Sequence, residues 1–245
     1  MSILRHPALI LTAHGSADPR SSETTHAVAE EIRRLRPWLD VRVAFCERSE
    51  PNLRDVLAGL DRPGVVTPLL LASAYHAHTD IPAMIDQAKV PVLQADTLGE
   101  DPRLVELLRA RLSDLDVDPH CGETGVLVVA VGSSHAAANA RTATVVDALA
   151  PGTRWAGVRV AHATNPELSV SDGIAELRRQ GARRIVLAPW FIAHGRITDR
   201  VAATAAAEGV TMAEPLGAHP LLAATVLDRF EQAVTEMARS GRLAA

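Results

Sequence analysis

The sequence predicts an α/β protein of two similar lobes, each a roughly four-stranded parallel sheet flanked by helices, produced by duplication of one domain. Two observations carry that prediction. Short apolar runs of strand length alternate with longer stretches of helical periodicity along the whole chain, the pattern of parallel sheets covered on both faces. The chain also repeats itself. Gly15, Pro68, Asp80 and Gly99 recur in the same order as Gly132, Pro189, Asp199 and Gly217, at offsets of 117 to 121 residues. Four anchors in one order at nearly one offset are not a chance pattern. Residues 1–118 are therefore read as a first domain and residues 119–245 as a second, degenerate copy. The polar stretch from Asp114 to Gly125 joins them.

The elements follow in order. Ala8–Ala13 is an apolar run ending before Gly15 and reads as a buried strand. Ser21 or Ser22 can cap the next helix, in which Val28, Ile32 and Leu35 share a face. Val41–Cys46 is a second strand, Leu53–Leu60 a helix and Val65–Ala72 a third strand without charge. Pro82–Ala88 fits a short helix, Val90–Leu93 a fourth strand and Leu104–Leu115 an amphipathic helix. The second copy repeats the order with strands at Val126–Val131, Trp155–Ala161 and Ile185–Ile192. Its helices are expected at Ala136–Leu149, Leu168–Gln180, Thr198–Glu208 and Leu221–Arg239, the second of them ended by Gly181.

Composition narrows the function. An apolar fraction of 47% excludes a disordered chain, and with only 3% aromatics the core must be Ala, Val, Leu and Ile. A net charge of −4 without a basic run disfavours nucleic acid as a partner. The two cysteines, Cys46 and Cys121, imply no disulfide framework. The N-terminus lacks the form of a signal peptide, and the apolar runs fall short of the ~18 residues that a membrane helix needs. A cytoplasmic protein that does not enter the membrane is the expectation.

In open parallel sheets, ligands collect beyond the carboxyl ends of the strands. Three separate stretches deliver polar groups there: His14-Gly15-Ser16 after the first strand, Glu47 after the second, and His76 with His78 after the third. Each has a bland reading. A strand-end histidine often just donates to a carbonyl, His78 reads as solvated, and a lone glutamate is usually a surface charge. Together, two imidazoles and a carboxylate form a borderline ligand set suited to Fe2+, Co2+, Ni2+ or Zn2+ with positions left open. Open positions imply catalysis or transfer rather than a closed structural site. The second half departs at the matching places, with Val131 where His14 stands and Gly195 where His76 stands. His194 lies one position off, so a contribution from it, or from His135, stays open. Arg20, Arg196 and Arg200 could hold an acidic ligand through forked guanidinium pairing.

His-Gly-Ser after the first strand, Glu47 at the end of the next, and Pro68-Leu69 followed by His76 and Asp80-Ile81-Pro82 resemble the sirohydrochlorin chelatases, the class II tetrapyrrole chelatases. The resemblance spans essentially the whole chain and matches that family's long, duplicated form. It implies a lyase, a sirohydrochlorin ferrochelatase or cobaltochelatase serving sirohaem or cobalamin synthesis. Under it, His14 and His76 are catalytic and metal-handling, and Glu47 is the third metal ligand. The flat macrocycle would lie between the halves, its carboxylates meeting Ser16, Ser133, Ser134 and the nearby arginines Arg20, Arg196 and Arg200. No permanently bound cofactor is implied. The divalent metal is a substrate, Fe2+ favoured over Co2+, and sirohydrochlorin is the other partner. Two lobes in one chain make a monomer sufficient. The competing reading is a non-enzymatic carrier of metal or tetrapyrrole.

Overall fold

The computed structural model describes residues 6–72, 79–165 and 169–241. The first repeat runs β1 (Ala8–Ala13), α1 (Pro19–Leu35), β2 (Val41–Phe45), α2 (Leu53–Ala58), β3 (Gly64–Pro68), α3 (Ile81–Ile85), β4 (Val92–Gln94) and α4 (Pro102–Ser113). The second runs β5 (Thr124–Ala130), α5 (Ala136–Leu149), β6 (Gly157–His162), α6 (Val170–Arg179), β7 (Arg184–Pro189), α7 (Arg196–Ala207), β8 (Thr211–Met212) and α8 (Pro220–Arg239). The strands form two four-stranded parallel sheets, ordered β2-β1-β3-β4 and β6-β5-β7-β8. The two orders are the same, so the duplication seen in the sequence is a duplication of topology.

The third strand of each repeat is shorter than its apolar run. β3 ends at Pro68 and β7 at Pro189: one further N–H on each, Leu69 to Thr12 O at 2.8 Å and Trp190 to Val129 O at 2.7 Å, reaches the central strand, but proline has no N–H to offer the neighbour on its other side. β8 has two residues paired to β7, too few for any periodicity, and the sequence leaves it unlocated. Side-chain caps open α1, α2, α4, α6 and α8. Asp18 accepts from the Arg20 backbone N–H at α1, and Asp101 accepts from Arg103 N–H at α4, each followed by a proline at the first helical position. At α8 the cap is His219, whose Nδ1 accepts from Leu221 N–H.

The core forms on the sheet faces. In the first unit Ala8, Ile10, Ala44 and Val66 pack with Leu53, Leu57, Ile81 and Met84. In the second, Leu127, Val129, Ala161 and Leu187 pack with Ile174, Leu177 and Val201. The compact units, Met1–Gly99 with Ala218–Ala245 and Glu100–Gly217, are not the sequence repeats. α4 closes the first repeat but packs on α5 and β7, whereas α8 closes the second repeat but packs on α1, β3 and β4. Hydrogen bonds fix both. Arg229 of α8 donates to the carbonyls of Thr97 at 3.2 Å and Leu98 at 3.0 Å, and Arg111 of α4 donates to that of Leu216 at 2.8 Å. The terminal helices have been exchanged. The division at 118/119 describes the duplication, which we propose as the boundary between the repeats. Among the described residues, no helix is long and apolar enough to cross a membrane.

One core residue carries a cost. His162 pairs with Ala130 in the β5–β6 register, where the first repeat places Phe45 opposite Ala13. It is 2% exposed, and neither ring nitrogen has a partner among the described residues. Burial lowers its pKa below the ordinary value of 6.5. The unfolded chain then takes up a proton near pH 6.5 that the native chain refuses, so stability falls as the pH drops through that value. His162→Phe is expected to stabilise by about 1–3 kcal/mol, with the larger rise in Tm at pH 5.5 than at pH 7.5. Thermal melts at the two pH values check this, and a rise independent of pH would show that the ring is not held neutral.

Candidate functional site

β1 and β2 are hydrogen-bonded to their ends, and the pairing continues beyond them. Cys46 N–H donates to Ala13 O and Glu47 N–H donates to His14 O, both at 3.0 Å. This continuation sets His14 beside Glu47. Gly15 makes the turn with φ +95°, and a Cβ there would lie 1.7 Å from the Glu47 carbonyl oxygen. Only a residue without Cβ allows the two loops to meet so closely. Ser49 locks them further: its hydroxyl donates to Ser16 O at 3.0 Å and accepts from Ser16 N–H at 3.1 Å.

The product of this scaffold is a side-chain pair, His14 Nε2 to Glu47 Oε1 at 3.0 Å. Arg48, itself at φ +59°, places Nε 3.1 Å from the same oxygen. The side chains of His14 and Glu47 are 35% and 47% exposed, so a ligand can reach both. Cys46 lies next to this pair in sequence, and burial, with smaller contributions from Asp80 and Glu47, pushes its thiol up to about 11. It stays protonated at neutral pH, and a thiol, unlike a thiolate, is a poor metal ligand.

His76, the third expected ligand, and His78 lie outside the described residues. Among the described residues no group of three or more His, Cys, Asp or Glu is placed to hold a metal. The structure thus joins two of the three expected ligands.

The second unit keeps the scaffold and changes the chemistry. Gly132 has φ +90°, Ala163 N–H donates to Ala130 O at 2.8 Å and Thr164 N–H donates to Val131 O at 3.0 Å, matching the first unit bond for bond. Exposed Val131 replaces His14 and Thr164 replaces Glu47.

The residues expected to meet carboxylates have unequal settings. Ser16 Oγ accepts from Asp18 N–H at 3.0 Å. The Arg20 guanidinium is held by Asp18, with Nε–Oδ1 at 3.0 Å and Nη2–Oδ2 at 2.6 Å. Arg103 and Asp101 make the same clasp at α4, which marks it as capping geometry. Ser133 Oγ accepts from His135 N–H at 3.1 Å, and Ser134 Oγ lies 3.4 Å from His135 Nδ1. Arg196 is the exposed first residue of α7. Arg200 lines a cavity of about 430 Å³ with Thr164, Asn165 and Ser169, beside the N-terminus of α6.

His194, left open by the sequence, pairs with Glu214 at 2.8 Å. Glu214, Arg48 and Ser49 were not legible in the sequence. A signal for Glu214 existed, since an acidic residue stands three positions before the anchor glycine in both repeats, Asp96 before Gly99 and Glu214 before Gly217.

The CbiX family model matches residues 8–115 and again residues 125–233. A sirohydrochlorin ferrochelatase of Priestia megaterium is 25% identical over 206 residues, covering 79% of this chain and 76% of that protein. A sirohydrochlorin cobaltochelatase of Methanosarcina acetivorans is 30% identical over 122 residues, covering 43% of this chain and 94% of that shorter protein. Among solved structures, SirB from Bacillus subtilis with Fe3+ superposes with a TM-score of 0.81 at 19% identity, over 96% of this chain and 97% of that one. That likeness concerns the fold.

Proposed function

The chain belongs to the CbiX family, and from that membership we propose that it is a sirohydrochlorin chelatase, a lyase that inserts a divalent metal into the macrocycle. Fe2+ is the metal we favour, with Co2+ accepted by the same ligands. The observation that carries the reading is the His14–Glu47 pair, held at the open sheet edge of the first unit by a loop contact that requires Gly15.

The chemistry follows from two demands. Insertion replaces two pyrrole N–H protons by one metal ion, so a base must stand at the reacting centre. The metal must also be held loosely enough to leave. An unprotonated His14 imidazole can accept a proton, and Glu47 beside it stabilises the imidazolium that results. The same two atoms can instead take a metal as neighbouring ligands. Ligand bonds of about 2.0–2.1 Å at right angles put the donors about 2.9 Å apart, close to the 3.0 Å observed. Two side chains with the rest of the shell left to water hold an ion without trapping it. His76 is proposed as the third member. For the carboxylates of the macrocycle, Arg200 beside the α6 N-terminus is the strongest candidate, because helix N-termini and guanidinium groups both favour anions. Arg196, Ser16, Ser133 and Ser134 are proposed with it, and Arg20 only if it leaves its clasp on Asp18.

The test is the absorbance change of sirohydrochlorin with Fe2+ or Co2+ in the presence and absence of the protein. Multiple turnovers above the uncatalysed rate support the chelatase. Stoichiometric uptake without turnover would make the protein a carrier.

Glu47→Gln keeps the shape and removes the charge. Metal affinity and rate are each expected to fall about tenfold or more, the scale of one lost charged partner at 1.4 kcal/mol or above. Tm should change little, because half-exposed ion pairs stabilise by about 0–1 kcal/mol. Unchanged affinity and rate in the Gln variant would return Glu47 to the role of a surface charge.

A further inference from the structure

The second unit carries an imidazole–carboxylate pair of its own. His194 follows β7 and Glu214 follows β8. Their loops are zipped together by Ala213 N–H to Leu187 O at 2.9 Å, Leu216 N–H to Phe191 O at 2.9 Å and Gly217 N–H to Ile192 O at 2.8 Å. The result is His194 Nε2 at 2.8 Å from Glu214 Oε2. This is not a copy of the first pair. His14 and Glu47 hang from the first and second strands of their repeat, whereas His194 and Glu214 hang from the third and fourth. The duplicated scaffold has built the same donor pair at a different place along the strand ends.

The chemistry of the pair is specific. Nitrogen and oxygen at 2.8 Å are within hydrogen-bonding distance of each other. They also stand close to the separation of about 2.9 Å that two ligands at right angles take on an ion with bonds of about 2.0–2.1 Å. Imidazole with carboxylate selects borderline divalent ions over Mg2+ or Ca2+. Side chains 41% and 72% exposed leave the remaining coordination positions to water. We propose that His194 and Glu214 form a second binding site for a divalent transition metal, built entirely from residues of the second unit. The proposal goes beyond the chelatase reading and does not depend on it.

The experiment is a Co2+ titration of the full-length protein without any tetrapyrrole, followed by calorimetry and by the visible absorbance of bound cobalt. His14→Ala serves as the background, so that the first pair contributes little. Saturable binding of one Co2+ is expected there, weakened at least tenfold when His194→Ala or Glu214→Gln is added, with circular dichroism unchanged. An isotherm that neither added substitution alters would overturn the proposal, and so would the absence of saturable binding in the His14→Ala protein. Because no macrocycle is present, failure of this titration and failure of the insertion assay are separate results.

Discussion

His14→Ala is expected to lower the catalysed rate of metal insertion by about 10²–10⁴-fold, the usual worth of a positioned general base, while the fold survives. The side chain lies beyond the end of β1, one-third exposed and outside the apolar cluster of the first unit. Its loss removes the proton acceptor and one of two neighbouring metal donors at once, so kcat should fall and the apparent affinity for metal should weaken together. Glu47 remains, tied to Arg48, which makes it a poor substitute. The insertion assay, run over a range of metal concentrations beside a thermal melt, separates this from unfolding. A variant with near-normal turnover would remove His14 from the site.

Gly15→Ala is expected to do more damage with one methyl group. The position needs φ +95°, and the added Cβ would sit 1.7 Å from the Glu47 carbonyl oxygen. Backbone strain alone costs about 1–3 kcal/mol, and the contact with rigid backbone cannot be relieved by a side-chain rotation. The β1 and β2 loops must separate, breaking the Glu47 N–H to His14 O bond and the pairing of Ser49 with Ser16. Insertion should fall at least as far as in His14→Ala, and Tm should drop by several degrees at about 2–4 °C per kcal/mol. Unlike His14→Ala, this variant loses stability as well as rate. A normal melting temperature with full activity would mean that the loops have another way to meet.

Much of this was legible from the residues. The apolar runs gave β1 and β5 closely, because buried parallel strands have nothing polar to interrupt them. The anchor prolines Pro68 and Pro189 were visible as repeat markers, although their role as ladder ends appears only in the sheet. His14 and Glu47 could be placed at one edge from strand order alone. That they touch depends on hydrogen bonds past the strand ends, which no periodicity encodes. Arg20 read as a ligand for carboxylates because a guanidinium in a sequence does not show its partner. Two residues away, Asp18 engages it. The pair of His194 and Glu214 was out of reach for a related reason, since its two halves are separated by α7 and a strand of two residues. The exchange of α4 and α8 could not be seen either. Amphipathic helices specify that a face is buried, but not against which sheet.

That exchange imposes an order on synthesis. Glu100–Gly217 is one continuous stretch, so every residue of its unit has been made by the time Gly217 is added. The other unit begins earlier and finishes last. Its strands and α1 leave the ribosome first, yet the apolar residues of α8, among them Val226, Leu227 and Phe230, arrive only after the intervening unit is complete. The N-terminal sheet must therefore wait with that side uncovered, a state in which exposed apolar surface invites aggregation. A released chain ending at Gly217 should accordingly show protease protection over Glu100–Gly217 and not over β1 to β4. Equal protection of both would mean that the first sheet closes without its borrowed helix.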